Sequence, residues 1–488
     1  MKLYVFVILL FFQFFSTTAQ SSFELIIKTD KHELAADVIE LDNGDYIMCG
    51  VINTPDQDDR SGLLYKISSD GDILKKKEYF FTDSISMLTD LLTTQDNRII
   101  SMGWKGLLST SYLNKIWYNE IDTGLNEILF KIYSLDSNYL YGAYNSLIDN
   151  NKIVLGGTAI DSLTGTDIFL YSLTTNGDSL NSTFLQMQSI QSEYWFSKYP
   201  DKSKYQLCFF GNMPPAPANY PGKIATFDSL LNFIQVDTIP RFLYHHNTVK
   251  WLNNSEYILT GKKHFSSPSH RVLGILKIDT NNNVINENYI GKEPDTINYP
   301  GSGRNMDFIE SNNIYYGGVA NFIPEQYPWQ VEPSWIMLNN LDSNLNINWQ
   351  RFYGGDAFYY LWGLRATQDG GCIMLCTRYD HNTQYHEYDI YILKVDPDGL
   401  ITRINENSEL EIRNAIIYPN PGTNHINIKT ILKNPTFELI DLKGKTIIRK
   451  TLNTSTKQIN TSNIPSGMYF YRIHNNEKII ESGKWVKR

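Results

Sequence analysis

ADVIELDNGDYIMCG, Ala36 to Gly50, is followed after a loop by LLYKISSDGDILKKKEYF, Leu63 to Phe80, and these two stretches decide the fold. Each holds two β-rich runs around a DNG or SDG turn. Asn and Gly accept the positive φ of tight hairpins, so each stretch reads as a hairpin. The first design returns as TDLLTTQDNRIISMG, SLIDNNKIVLGG, KYQLCFFG, NTVKWLNNSEYILTG, NMDFIESNNIYYGG and LRATQDGGCIMLCT. The second returns as NEIDTG, YSLTTNG, ATFDSLL, LKIDTNN, NNLDSNL and LKVDPDG. The equivalent apolar residues Ile67, Ile121, Leu173, Phe227, Ile278, Leu341 and Val395 stand about 51 to 63 residues apart, near the roughly 40–50 of propeller blades. Seven four-stranded units predict an all-β chain whose residues 20–405 form a seven-bladed β-propeller. A solenoid of stacked sheets is the competing architecture. FELIIKTD (Phe23 to Asp30) has the pattern of a fourth strand and is expected to complete the last unit, with LITRINE after Asp398 as the other candidate.

The chain begins MKLYVFVILLFFQFFSTTAQ. Lys2, an apolar run and small residues at its end predict a secretory signal peptide over 1–19. The run is shorter than the ~20 apolar residues of a spanning helix. Cys49, Cys208, Cys372 and Cys376 each sit in an apolar strand-like run, where a thiol is expected as core filling. Net charge is -9, yet from Arg413 onward about 13 Lys and Arg face about 4 Asp and Glu. The acidic body excludes nucleic acid as its expected partner.

If the turns between strands one and two and between three and four share one face, the remaining connections share the other. These are long and rich in aromatic and His residues: NMPPAPANYPG (212–222), KKHFSSPSH (262–270), ANFIPEQYPWQVEPS (320–334), RYDHNTQYHEYD (378–389), SEYWF (192–196), LYHHN (243–247) and AFYYLW (357–362). Binding residues concentrate on loops held by a rigid scaffold. Candidate ligand-binding residues are therefore Trp195, Tyr220, Tyr327, Trp329, Tyr359, Tyr360 and Trp362, whose rings suit sugar rings or peptide segments, with packing between sheets as their competing role. His245, His381, Tyr385 and His386 join them. Adjacent His245 and His246 point oppositely in an extended segment, so one at most lines a site. His381 and His386 match no metal-ligand spacing, and a solvated loop is the expected reading there. Asp37 and Asp90 recur at matching positions, where a loop-capping role is expected; catalysis by such a pair needs carboxylates about 5 to 9.5 Å apart. DPDG at Asp396 lacks the closing Glu of a calcium loop and reads as a turn. No metal or cofactor motif is present.

After the polar connector NENSELEIRNA comes a different pattern, with linker 406–414 expected before a domain over 415–488. Strands are expected at Ala415 to Tyr418, His425 to Thr430, Thr436 to Asp441, Thr446 to Thr451, Lys457 to Asn460, Met468 to His474 and Lys478 to Val486, which make a small β-sandwich. IYPNP at its start, ELIDLKGKTI, NIPSGMYFYRI and a terminal ESGKWVKR resemble the type A C-terminal sorting domain of the type IX secretion system of Bacteroidota. The resemblance assigns the family signature to Tyr418, Pro419, Asn420, Pro421, Asp441, Gly444, Gly467, Tyr469, Lys484, Lys487 and Arg488. It implies passage through the periplasm, recognition by the type IX secretion machinery, and cleavage near 405–414. Release or attachment to surface lipopolysaccharide would follow. The body resembles the DGGYILxG and DxYLLKxDxxG propellers that accompany such domains, most closely in QDGGCIML and DIYILKVDPDG. The expected function is a secreted or cell-surface module binding a glycan or protein through its aromatic loops. A hydrolase or lyase of extracellular polysaccharide is the alternative, and a structural adhesin component the third.

Overall fold

The computed structural model describes residues 22–401 and 415–488, apart from 56, 58, 109–111, 135–138, 162–164, 186–188, 202, 213–221, 240–243, 265–270, 292–296, 384–386, 431, 433, 454–455 and 476–477. The leader expected over 1–19 and the linker expected over 406–414 lie outside these residues. Among the described residues, seven antiparallel sheets follow one another from His32 to Val395. Six have four strands. In the sixth sheet the inner position is split between Asn298–Pro300 and Met306–Asp307, both paired to Ile314–Ala320. First strands of successive sheets touch, and His32–Glu40 also packs on the last sheet. The array closes as a propeller instead of running on as a solenoid.

The closing strand is Phe23–Ile27. It pairs antiparallel with Tyr388–Val395, Phe23 opposite Lys394 and Ile27 opposite Ile390. Phe23 and Ile27 are buried, so this strand pins the last sheet by apolar burial as well as by ladder bonds.

One irregularity recurs and explains a recurring glycine. The pairing of first and second strands shifts register between Ala35 and Asp37, and again between Leu88 and Asp90. Each bulge drives a carbonyl against the neighbouring strand. A Cβ on Gly50 would stand 2.0 Å from the Leu34 carbonyl oxygen, and one on Gly103 2.1 Å from that of Met87. Only glycine fits, which is why these second strands reach Gly in CG and MG.

The turns between third and fourth strands share a different device. Asp228 Oδ1 accepts N–H bonds from Leu230 and Asn232, both at 2.8 Å. Asp279, Asp342 and Asp396 each accept from residues two and four positions on. DPDG is thus a turn, its carboxylate oxygen committed to its own backbone. All four cysteines are buried free thiols.

The C-terminal domain has the seven expected strands. Ala415–Tyr418, His425–Thr430 and Thr456–Asn460 form one sheet; Thr446–Thr451, Thr436–Ile440, Gly467–Asn475 and Lys478–Lys487 form the other. Between them Ile426, Ile428, Phe437, Leu439, Ile473 and Trp485 make a separate core. Ile416 packs instead into the core of the fifth and sixth sheets. Lys429 Nζ donates to Asn298 Oδ1 at 2.8 Å, so the small domain rests on the sixth sheet.

Candidate binding site

Among the described residues, the long connections gather one exposed aromatic feature. Between the strands Ile314–Ala320 and Trp335–Leu341, the chain makes a loop built around the buried side chain of Gln330. Its Oε1 accepts the Ile323 N–H at 2.7 Å, and its Nε2 donates to the Asn321 and Glu332 carbonyls at 2.8 Å each. Asn321 Nδ2 ties the loop's base to the Pro333 carbonyl at 2.6 Å. On this fixed loop Trp329 stacks on Tyr388, centroids 4.6 Å apart and planes 9° apart. Tyr379 meets it edge-on at 5.2 Å, and His32 lies at 5.6 Å. Trp329 nevertheless keeps 46% of its surface exposed, Tyr327 41% and Val331 51%. A rigid aromatic surface of this kind can stack on a sugar ring or grip a peptide side chain without first losing loop entropy.

Several expected neighbours are elsewhere. FYYLW, SEYWF and YHHN are not loops: they lie in the strands Phe358–Ala366, Ser189–Lys198 and Tyr244–Trp251. In Phe358–Ala366 both faces pack between sheets, which an aromatic-rich segment satisfies as readily as a binding loop does. Tyr359 and Tyr360 are therefore buried. Tyr359 Oη donates to Asp356 Oδ1 at 2.6 Å, and the Tyr360 hydroxyl bonds Ser302 Oγ. Trp362 is half-buried, its Nε1 donating to Thr377 Oγ1 at 2.6 Å. Trp195 is buried on the propeller axis. His381 is exposed at the tip of its loop. Tyr220, Tyr385 and His386, and the side chain of His245, lie outside the described residues.

Beneath the aromatic loop Arg378 gathers Asp356 at 3.0 Å, Asp380 at 3.2 Å and Asp389 at 3.8 Å. Burial pushes Asp389 up to about 6 despite the charge of Arg378.

The axis holds a cavity of about 590 Å³ that the sequence pattern did not reveal. Asp37 and Asp90 stand beside it inside their strands and cap no loop. Asp37 accepts the Leu91 N–H of the next sheet at 3.1 Å and both Arg365 donors of the last sheet, at 3.0 and 2.7 Å. Burial opposes its charge, but Arg365 and Arg304 hold its pKa below the ordinary carboxylate value. Asp90 accepts the Ser146 N–H of the third sheet at 3.4 Å. Burial, then the charge of Asp37, pushes it up to about 6. Both carboxylates are ties between sheets, as is Asp307, which accepts the Ala366 N–H at 3.0 Å.

In the C-terminal domain the two ends of the expected signature meet. Asn420 Nδ2 donates to the Lys484 carbonyl at 2.7 Å while its Oδ1 accepts the Val486 N–H at 2.9 Å. Trp485 Nε1 donates to the Pro419 carbonyl at 2.9 Å, and Gly422 exchanges backbone bonds with Val486 and Arg488. Asp441 Oδ1 accepts from Lys443 and Lys445 around Gly444 at φ +82. Tyr469 Oη donates to the Pro465 carbonyl and the ring packs 6.0 Å from Trp485. Residues 416–488 match the family described as secretion system C-terminal sorting domain.

This segment is a sorting domain. It directs export to the cell surface or beyond and engages the type IX secretion machinery. No curated protein matches the chain. Among solved structures the chain is similar to the β-propeller domain of the Trilobed protease from Pyrococcus furiosus, with 10% identity over 77% of this chain and 100% of that one and a TM-score of 0.42. It is similar to Kuenenia stuttgartiensis hydrazine synthase, with 8% identity over 75% and 96% and a TM-score of 0.44. A third likeness is to the α-L-arabinofuranosidase Arb93A from Fusarium graminearum, with 11% identity over 62% of this chain and 94% of that one and a TM-score of 0.39.

Proposed function

We propose that this chain is an exported binding protein. A leader over 1–19 delivers it to the periplasm, the sorting domain over 415–488 carries it across the outer membrane, and cleavage in the linker over 406–414 leaves the propeller free or attached to surface lipopolysaccharide. The propeller then holds a glycan against Trp329 and Tyr327, with a protein segment as the second occupant of the same surface. The observation that carries this reading is the exposure of Trp329 on a loop already fixed by Gln330 and backed by Tyr388. Flat amphipathic rings held rigidly bind without an ordering cost. The carboxylates that a hydrolase would need as a pair, Asp37 and Asp90, are engaged in bonds between sheets.

Glycan and protein arrays probed with the exported protein and with Trp329→Ala test this reading. Hits lost in the variant, with an unchanged melting profile, are the expected result. Hits that persist at full strength in Trp329→Ala would overturn it.

A further inference from the structure

We propose that the outer face of the sorting domain's four-stranded sheet is the surface that docks the type IX secretion machinery, and that the receptor offers it an apolar cleft with an acidic rim. The proposal rests on the export assignment and adds where the contact is made and with what chemistry.

The two outer faces of the small sandwich are used differently. In the three-stranded sheet Ala415, Ile417 and Ile428 point into the domain's core, so Ile416 and Lys429 point out of it. Ile416 packs into the core of the fifth and sixth propeller sheets and Lys429 bonds Asn298. The propeller therefore covers that face. In the four-stranded sheet Phe437, Leu439, Tyr469, Tyr471, Ile473 and Trp485 fill the same core from the other side, and the alternate residues face away from the propeller.

The solvent side of such a sheet is ordinarily polar. Here Leu442 is 67% exposed, Phe470 46%, Met468 41% and Ile447 39%. The register gathers them at one end of the sheet. Phe470 stands opposite Ile440 on one side and Lys484 on the other, and Met468 stands opposite Val486. Leu442 lies in the turn that follows Ile440, and Ile447 is the extra residue of the bulge where the chain enters the edge strand Thr446–Thr451. Asp441 Oδ1 fixes that turn by accepting the N–H groups of Lys443 and Lys445, both at 2.9 Å. Leu442 is thus held out to solvent on a pre-set turn, which spares a partner the cost of ordering it. Exposed apolar side chains grouped inside a polar rim mark an interaction site.

The rim gives the partner's charge. Lys443, Lys445 and Lys484 are exposed around the patch. One row further along the sheet, Glu438 stands between Arg472 and Arg449. Glu438 is held by Arg449 at 3.4 Å and His474 at 3.0 Å, and Asp441 is committed to its turn. Five Lys and Arg side chains therefore meet two carboxylates, both engaged, and an acidic rim is their complement. A second copy of the chain on this face would set like charge against like charge.

The test expresses the full chain in a host with a type IX secretion system and compares protein on the cell surface and in the medium with protein in the periplasm. The double variant Leu442→Ser, Phe470→Ser should lower the exported amount about tenfold or more and accumulate in the periplasm with the parent's melting profile. Lys443→Glu with Lys484→Glu should act in the same direction by reversing charge at the rim. Ile128→Ser, at an equally exposed apolar position in the outer strand Glu127–Ser134 of the second propeller sheet, should be exported like the parent. Should the first pair fail to fold, Leu442→Ser alone and the charge pair decide. Export of the folded double variant at the parent's level overturns the proposal while leaving the export assignment intact; retention of the parent itself overturns both. Two further outcomes, each with export unchanged in the double variant, also overturn it. One is parent protein that binds phosphatidylglycerol vesicles through this face, which would assign it to an anionic membrane; the other is a parent dimer that the double variant dissociates, which would assign it to a second copy.

Discussion

Asp37 joins three sheets at once, and its removal is the most informative perturbation of the ring. Its carboxylate accepts two bonds from Arg365 of the last sheet, one from the Leu91 N–H of the second and one from its neighbour Val38. The side chains of Asp37 and Arg365 are 9% and 24% exposed, so the pair is largely but not wholly shielded. Removing one member of a buried pair typically costs about 3–5 kcal/mol, and the partial exposure of Arg365 places Asp37→Ala near the lower end, about 3 kcal/mol. Two orphaned backbone donors add about 1 kcal/mol. With an unfolding entropy of roughly 2.1 cal/mol/K per residue over roughly 380 residues, a loss of about 4 kcal/mol lowers the melting midpoint by about 5 °C. Asp37→Asn keeps one acceptor oxygen and should lose about half as much. Arg365→Met in the Asp37→Ala background should then cost little further, giving a coupling of about 2–3 kcal/mol in a double-mutant cycle. Circular dichroism melts of the four proteins measure this. A midpoint within 1 °C of the parent for Asp37→Ala, or additive single effects, would refute the view that this carboxylate holds the ring together.

Other consequences follow from burial and from the C-terminal clamp. Asp90, pushed up to about 6, binds a proton in the folded state that the unfolded chain releases near pH 4. Its contribution to stability therefore falls as pH rises from about 4 to about 6, by up to about 3 kcal/mol. Asp389 acts in the same direction, and the Asp90→Asn, Asp389→Asn double variant should flatten the melting profile across that window. The four thiols are buried and unpaired; a thiol reagent should label none in the native protein and four after denaturation, and reductant should leave the melting midpoint unmoved. Asn420→Ala removes both bonds to the terminal strand, costing about 1–2 kcal/mol. Amide exchange at Val486 should accelerate while that of the propeller strands does not.

The repeat pattern made most of the fold legible because the recurring residues answer local needs. Gly50 and Gly103 sit where a bulged carbonyl leaves no room for a Cβ, and Asp228, Asp279, Asp342 and Asp396 hold their turns by contacts within five residues. Phe23–Ile27 was readable as a closing strand because its pattern matches the fourth strands elsewhere. The sorting domain was legible strand by strand, although the clamp between Asn420 and the terminal strand spans about 64 to 66 residues and left no local trace. The aromatic residues were only half legible. Tyr359 and Trp195 look like Trp329 in sequence, yet they stand in strands covered on both faces, whereas Trp329 rides on a loop whose rigidity comes from Gln330 seven residues from its partner Ile323. The axial cavity was not legible, since which side of an inner strand faces the axis depends on the bulge at Asp37 and its counterparts. Arg304, moreover, lies between the two pieces of a split strand. Mapping each wall residue onto the position after the bulge would have found Asn145 and Thr248, but not Arg304.

The export assignment is tested most directly by fusing residues 411–488 behind a signal peptide and a fluorescent reporter in a host with a type IX secretion system. Reporter on the cell surface or in the medium, shed of the sorting domain, is the expected result. Reporter retained in the periplasm would contradict the assignment.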